Sequence, residues 1–293
     1  MKNQSSACRI DIYQQVTDQV IEALEAGVKP WICPWDVTHS DGLPQNAATG
    51  SFYNGINIML LWMSAGINQY SSSQWLTYKQ AQALGGNVIK GEKGTMITFY
   101  KTYERETEEG KVEIIPVIKQ HKVFNLDQTD GVAKQQTIER EEVETLNHAE
   151  DFFNSTGAIF HFGGQKAFYR PSTDEIILPS KSLFHSTADF ICTMAHETGH
   201  WTGAKHRLNR PKGKTFGDEA YAFEELVAEL FSAFSMAALG VVGEVQHECY
   251  IANWLEALKN DKRYVFKAAS QASKAHKYVL DLVDKASCTE LVA

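Results

Sequence analysis

The sequence lacks any run of the about 18 apolar residues that a membrane-spanning helix needs. It also lacks an excess of positive charge: 28 Lys and Arg stand against 36 Asp and Glu, a formal net charge of −8. Coating duplex DNA by charge alone requires a net basic face, so that class is excluded, although a local basic patch is not. The cysteines (Cys8, Cys33, Cys192, Cys249 and Cys288) are odd in number and scattered, with no CxxC pair. They fit reduced thiols in a cytoplasm rather than a disulfide framework. Met1–Ser6 carries no apolar h-region and does not read as a signal peptide. There is no internal repeat, no low-complexity tract and no GxxxxGK[ST] phosphate loop. What is present is 293 residues, 43% apolar and 22% charged. That is a globular chain of one large or two ordinary domains.

The clearest break in composition lies between Gly131 and Glu144, where residues 132–142 are polar and charged. It predicts a boundary near 140, giving segments 1–140 and 141–293. In the first segment Ile10, Tyr13, Val16, Val20, Ile21 and Leu24 recur at helical spacing, with Gly27 as a stop. Trp31–Gly50 reads as loop, Tyr53–Ala65 as helix, and Trp75–Leu84 as a short helix ended by Gly85-Gly86. Met96–Tyr103 and Val112–Phe124 read as an antiparallel strand pair. The second segment reads as strands within Gly157–Phe162 and Ala167–Leu178. Helices follow over Ser186–Trp201, Asp218–Leu239, Val245–Leu258 and Val265–Val283. The expected fold class is α+β in two domains, the second mostly helical.

The strongest chemical signal is His196-Glu197-Thr198-Gly199-His200, an HExxH on an expected helix. Residues four apart on a helix project to one side, so two imidazoles can share one cation while Glu197 serves as general base. A catalytic zinc takes three protein ligands and keeps one position open. Two candidates offer the third. His206 completes HExxHxxGxxH, with Gly203 at the turn position. Glu225, on the apolar helix that also carries Glu229, is favoured, with Glu229 behind it holding a ring nitrogen of a ligating histidine. The expected ion is Zn²⁺, with another divalent transition metal as the alternative. Ala167–Arg170 suits either an edge strand that takes a peptide by β-addition or a plain core hairpin. Tyr169 and Tyr221 are both open as oxyanion donors.

The first segment interleaves aromatics with lysines and amides, a composition suited to stacking unpaired bases as well as to an ordinary core. Several stretches carry a specific resemblance. Trp31-Ile32-Cys33-Pro34-Trp35, Pro44-Gln45-Asn46, Gly50–Asn57, Trp75–Ala81, Lys90-Gly91-Glu92-Lys93-Gly94, Val123–Thr129, His196–Arg210 and Phe216–Ala233 together resemble the ArdC antirestriction family, in order and over nearly the whole chain.

The resemblance implies an N-terminal domain that binds single-stranded DNA and a C-terminal zincin-like domain. It implies carriage on a conjugative plasmid and protection of incoming DNA from host restriction, and it supports Glu225 as the third ligand. A protein of the host restriction system is then the expected substrate. A passive DNA-binding protein with a purely structural metal is the alternative. The residues assigned to DNA contact are Trp31, Trp35, Asn46, Tyr53, Asn57, Trp75, Lys79, Gln80, Lys90, Lys93, Phe124 and Gln128.

Overall fold

The structure is a computed structural model that describes residues 11–34, 42–106, 112–133, 141–211, 219–243 and 250–290. The chain opens with helix α1 (Ile12–Glu25), which Asp11 caps by accepting the N–H groups of Tyr13 and Gln14. Its stripe of Val16, Val20 and Leu24 is buried, and Gly27 leaves the helix with φ +78°. Next come β1 (Gln45–Asn46), α2 (Ile56–Asn68), β2 (Gln74–Leu76), α3 (Tyr78–Ala83) and β3 (Asn87–Val88). The long strands β4 (Thr95–Glu106) and β5 (Val112–Asn125) follow, then β6 (Thr129–Asp130). After residue 140 the order is α4 (Glu142–Asn154), β7 (Ile159–Phe162), β8 (Phe168–Arg170), β9 (Glu175–Leu178), α5 (Thr187–Thr202), α6 (Glu219–Leu239), α7 (Ile251–Asn260) and α8 (Tyr264–Glu290).

β4 and β5 form the expected antiparallel hairpin, in register from Thr95↔Val123 to Glu106↔Val112. They extend a sheet of order β1-β2-β5-β4. The second segment holds a three-stranded sheet of order β7-β9-β8, so β8 is an edge strand. The expected helix over Trp75–Leu84 is corrected. Trp75 and Leu76 instead pair with Asn125 and Phe124 of β5, and both are fully buried. The helix starts only after Thr77, whose side chain forms a reciprocal capping box with Gln80. The Trp31–Gly50 loop contains β1, and α2 starts three residues later than the spacing suggests, at Ile56 after the N-cap Gly55 with φ +58°.

One apolar core runs through both segments. Trp62 of α2 meets Phe234 of α6 edge-on at 5.9 Å, Tyr13 of α1 meets Phe266 of α8 at 4.8 Å, and Trp31 meets Trp254 of α7 at 5.3 Å. Residues 134–140, around the expected boundary, lie outside the described residues. Within the second segment α5 packs on α6 at very short range. A Cβ at Gly199 would stand 3.0 Å from the Ala228 Cα, so the glycine sets the spacing of the two helices. No described helix is long and apolar enough to cross a membrane.

Candidate metal centre

Ser186 starts α5 by accepting the N–H of Asp189, and the helix buries Phe190, Ile191, Met194 and Ala195. That burial turns His196 and His200 towards α6. Their Nε2 atoms stand 3.1 Å apart. The two carboxylate oxygens of Glu225 each face one ring: Oε2 lies 3.5 Å from His196 Nε2, and Oε1 lies 3.5 Å from His200 Nε2. Among the described residues these three form a group whose ligand atoms all lie within 4.8 Å of one another. Tetrahedral ligands at zinc–nitrogen and zinc–oxygen distances of about 2.0 Å stand about 3.3 Å apart. The donor set and its spacing therefore fit one divalent ion.

Behind each imidazole stands a second carboxylate. Glu224 Oε1 lies 3.3 Å from His200 Nδ1. Glu224 is itself gripped by Arg210, whose Nε and Nη2 donate to it at 2.9 and 2.7 Å. Arg210 also donates to the carbonyl of Gly199 at 2.6 Å and to Thr202 at 2.8 Å. A Cβ at Gly203 would fall 2.8 Å from Arg210 Nη2, so glycine there keeps room for the ion pair. On the other side Glu229 Oε2 lies 3.8 Å from His196 Nδ1, and Trp31 Nε1 donates to Glu229 Oε1 at 3.1 Å. Carboxylates at the outer nitrogens fix ring orientation and tautomer and raise ligand basicity.

The local electrostatics favour a cation. Burial pushes the Glu225 carboxyl up, but His196 and His200 outweigh it and hold the group well below the usual carboxylate range. Burial also opposes charge on His200, yet Glu224 and Glu225 push this imidazole up to about 10. Burial raises Glu229 to about 7 against the pull of His196 and Trp31. Glu197 is buried as well, so several carboxylates converge on the two imidazoles, with Arg210 and Lys29 among the cations that act on them.

Trp31→Phe removes the N–H on Glu229 while keeping a ring against Trp254. Metal affinity, measured against a chromophoric chelator, should fall about 10–100-fold with little change in melting temperature. An unchanged affinity would show that Trp31 serves packing alone.

The group opens into a cleft of about 300 Å³, also lined by Glu197, Phe168, Tyr169, Tyr221 and Tyr250. The hydroxyls of Tyr221 and Tyr250 lie 3.2 Å apart. Burial raises the Tyr221 phenol above its ordinary range, so it stays protonated. Tyr169, the other oxyanion candidate, instead donates its hydroxyl to Asp174 at 2.7 Å. β8 is both the hairpin partner of β9 and the edge strand beside this cleft. His206, the alternative ligand, is exposed and sits 3.3 Å from Asp174 Oδ2, outside the group.

The residues assigned to DNA scatter. Trp31 is 5% exposed and bound to Glu229, and Trp75 is fully buried against Tyr70, so neither can stack on a base. Gln128 is buried, accepts the Asn125 N–H, and donates to Glu92 and to the Lys93 carbonyl. Gln80 caps α3 and bonds Asn46, while Asn57 exchanges hydrogen bonds with the backbone of Thr98. These amides serve the backbone, the commonest use of their donors and acceptors. Asn46 also bonds Tyr53, which is half-buried, as is Phe124. Lys79, Lys90 and Lys93 are exposed, and Trp35 lies outside the described residues. Spacing and motif alone do not point to Glu224, Arg210 or Tyr250. The one available signal is that Glu224 adjoins Glu225 in sequence.

Comparison with known proteins finds one family match in each half of the chain. Residues 10–124 match the N-terminal domain of anti-restriction factor ArdC, and residues 147–271 match a zincin-like metallopeptidase family. An uncharacterised protein of Sinorhizobium fredii, y4eC, is 40% identical over 278 residues, 90% of each chain. Escherichia coli DNA primase TraC is 38% identical over 293 residues, but the match spans only 20% of TraC. The metal-free crystal structure of the antirestriction protein ArdC from plasmid R388 superposes with a TM-score of 0.83 at 39% identity, covering 94% of this chain and 99% of that one. A Mn(II)-bound structure of the same protein gives 0.80, with 94% and 98% covered. With both segments matched in order, and that identity across nearly the full length of both chains, the chain belongs to the ArdC anti-restriction family.

Proposed function

We propose that the chain protects incoming plasmid DNA from host restriction, holding single-stranded DNA while a one-metal peptidase site cleaves a protein of the restriction system in the cytoplasm. The observation that carries the enzymatic half is the group of His196, His200 and Glu225, with a further carboxylate set against each imidazole. The Mn(II)-bound relative supports a divalent ion there, and the imidazole–carboxylate donor set suits zinc. When bound, such an ion acts as a Lewis acid on the substrate carbonyl and brings the pKa of a water towards about 7.

The chain's own residues do the rest. Glu197, in the cleft wall, takes a proton from the attacking water and delivers it to the leaving amine. Tyr221 and Tyr250 offer hydroxyl donors to the oxygen on which charge develops. β8, the edge strand of its sheet, gives an extended peptide a line along which to lie. The test is conjugal transfer into paired recipients. Expression of the chain should raise transfer into a restricting recipient and leave transfer into a non-restricting one unchanged. Equal transfer with and without the chain in the restricting recipient would refute the proposal.

A further inference from the structure

A second groove in the described structure shares no lining residue with the metal group or its cleft. It encloses about 1140 Å³ between residues 52–58, strand β4 and helix α8. Its second wall comes from the second segment, chiefly from α8. Arg263, Lys267, Ser270, Lys274 and Lys277 follow one another at spacings of 4, 3, 4 and 3, so from the residue just before α8 onward they form one stripe along the helix. At 1.5 Å per residue that stripe runs about 21 Å. Among the described residues that line the groove there is no Asp or Glu, although the chain as a whole carries −8. Lys267 and Lys277 hold Asp261 and Asp281 outside the groove. Exposed pairs of this kind contribute little and exchange readily for another anion.

The facing wall is aromatic. Phe52 and Tyr100 are 50% and 57% exposed, the highest values among the described aromatic rings of the first segment. Tyr100 is steadied by Tyr13 at 3.1 Å between hydroxyls, and Arg263 lies 4.8 Å from the Tyr13 ring centroid. The two walls are tied together by the Gly55 N–H, which donates to Ser273 Oγ at 2.7 Å. Tyr53 and Asn57, two residues that the sequence assigns to DNA, line this groove as well.

Cations in a row opposite exposed rings, with no carboxylate between them, suit a strand whose phosphates face one side and whose bases face the other. We infer that single-stranded DNA lies in this groove, with its backbone along the α8 stripe and its bases against Phe52 and Tyr100. The second segment thus supplies half of the DNA site. This inference rests on the single-stranded-DNA reading above and specifies where it acts.

The test is fluorescence anisotropy of a labelled 30-nucleotide dT oligomer with the full chain at several salt concentrations. Lys274→Glu/Lys277→Glu should weaken binding at least tenfold. It should also lower the slope of log K against log salt by about 0.7 for each phosphate the variant no longer neutralises. Phe52→Ala should weaken binding about fivefold or more without changing that slope. Lys166→Glu/Lys205→Glu, an equal charge change elsewhere on the zincin-like segment, should bind within twofold of wild type. Unchanged melting temperatures confirm that the surface variants fold.

If wild type binds but the α8 variant binds as tightly with an unchanged slope, the groove assignment fails and the broader reading survives. An equal loss in the control pair would also overturn it, since net charge would then be the cause. A loss confined to the charge variants, with Phe52→Ala unaffected, would mean a polyanion held by charge and would overturn the stacking half. No binding by wild type at low salt would refute the single-stranded-DNA reading itself.

Discussion

Glu197→Gln is expected to abolish peptide hydrolysis while leaving the metal and the fold in place. The amide keeps the shape of the side chain in the cleft wall but cannot accept the proton of the attacking water. The proposed metal ligands are untouched, because His196, His200 and Glu225 form their group without it. Loss of a positioned general base costs about 10²–10⁴-fold in turnover. The readout is cleavage of a restriction-system protein by the metal-loaded chain, beside metal content and oligonucleotide affinity. Turnover should fall by that factor with the other two quantities unchanged. In transfer experiments the variant should lose protection of incoming DNA. Full protection by a variant that has lost hydrolysis would mean that sheltering the strand suffices.

Arg210→Met is expected to be the most destabilising single change near the site. Its guanidinium side chain is 1% exposed and its partner Glu224 is 6% exposed. Removing the cation leaves a buried carboxylate beside His200, and also leaves the Gly199 carbonyl and the Thr202 hydroxyl without a donor they now have. Breaking a buried pair in this way costs about 3–5 kcal/mol, a large share of the roughly 5–15 kcal/mol that holds an ordinary domain together. A melting temperature lower by about 10 °C is the corresponding signal.

The double change Arg210→Met/Glu224→Leu separates stability from function. An apolar pair of similar volume should recover much of the stability, since it removes both charges together. It should not recover metal affinity, because His200 Nδ1 then lacks its carboxylate. A loss of about 10–100-fold should persist. If the double variant regains full metal affinity, Glu224 is only a folding partner of Arg210.

Much of this centre is legible in sequence, for a geometric reason. His196, Glu197 and His200 lie within five residues, where the helical period alone sets which side chains meet. Glu225 and Glu229 share a face by the same period, and the structure brings both to the histidines. The choice between Glu225 and His206 needs the packing of α5 on α6, which depends on Gly199. Arg210 and Trp31 are opaque because their roles depend on long-range contact. Trp31 lies 198 residues from the carboxylate it holds, and as an indole among many aromatics it resembles a base-stacking residue.

The same difficulty affects the first segment. Amides such as Gln80 and Gln128 carry the chemistry that reads bases, and that chemistry equally caps short helices. Trp75 reads as helical because its neighbours after Thr77 are good helix formers. Pairing with β5 overrides that local preference. The cationic stripe of α8 is regular in sequence, but only the fold shows that it faces Phe52 and Tyr100.

The central claim is that His196, His200 and Glu225 hold one divalent ion while His206 stands apart. The most direct measurement is metal stoichiometry by mass spectrometry on wild type, Glu225→Ala and His206→Ala, each loaded with zinc and dialysed against a weak chelator. One ion per chain is expected in wild type and in His206→Ala, with none retained by Glu225→Ala. Full retention by Glu225→Ala, or loss from His206→Ala alone, would contradict the account.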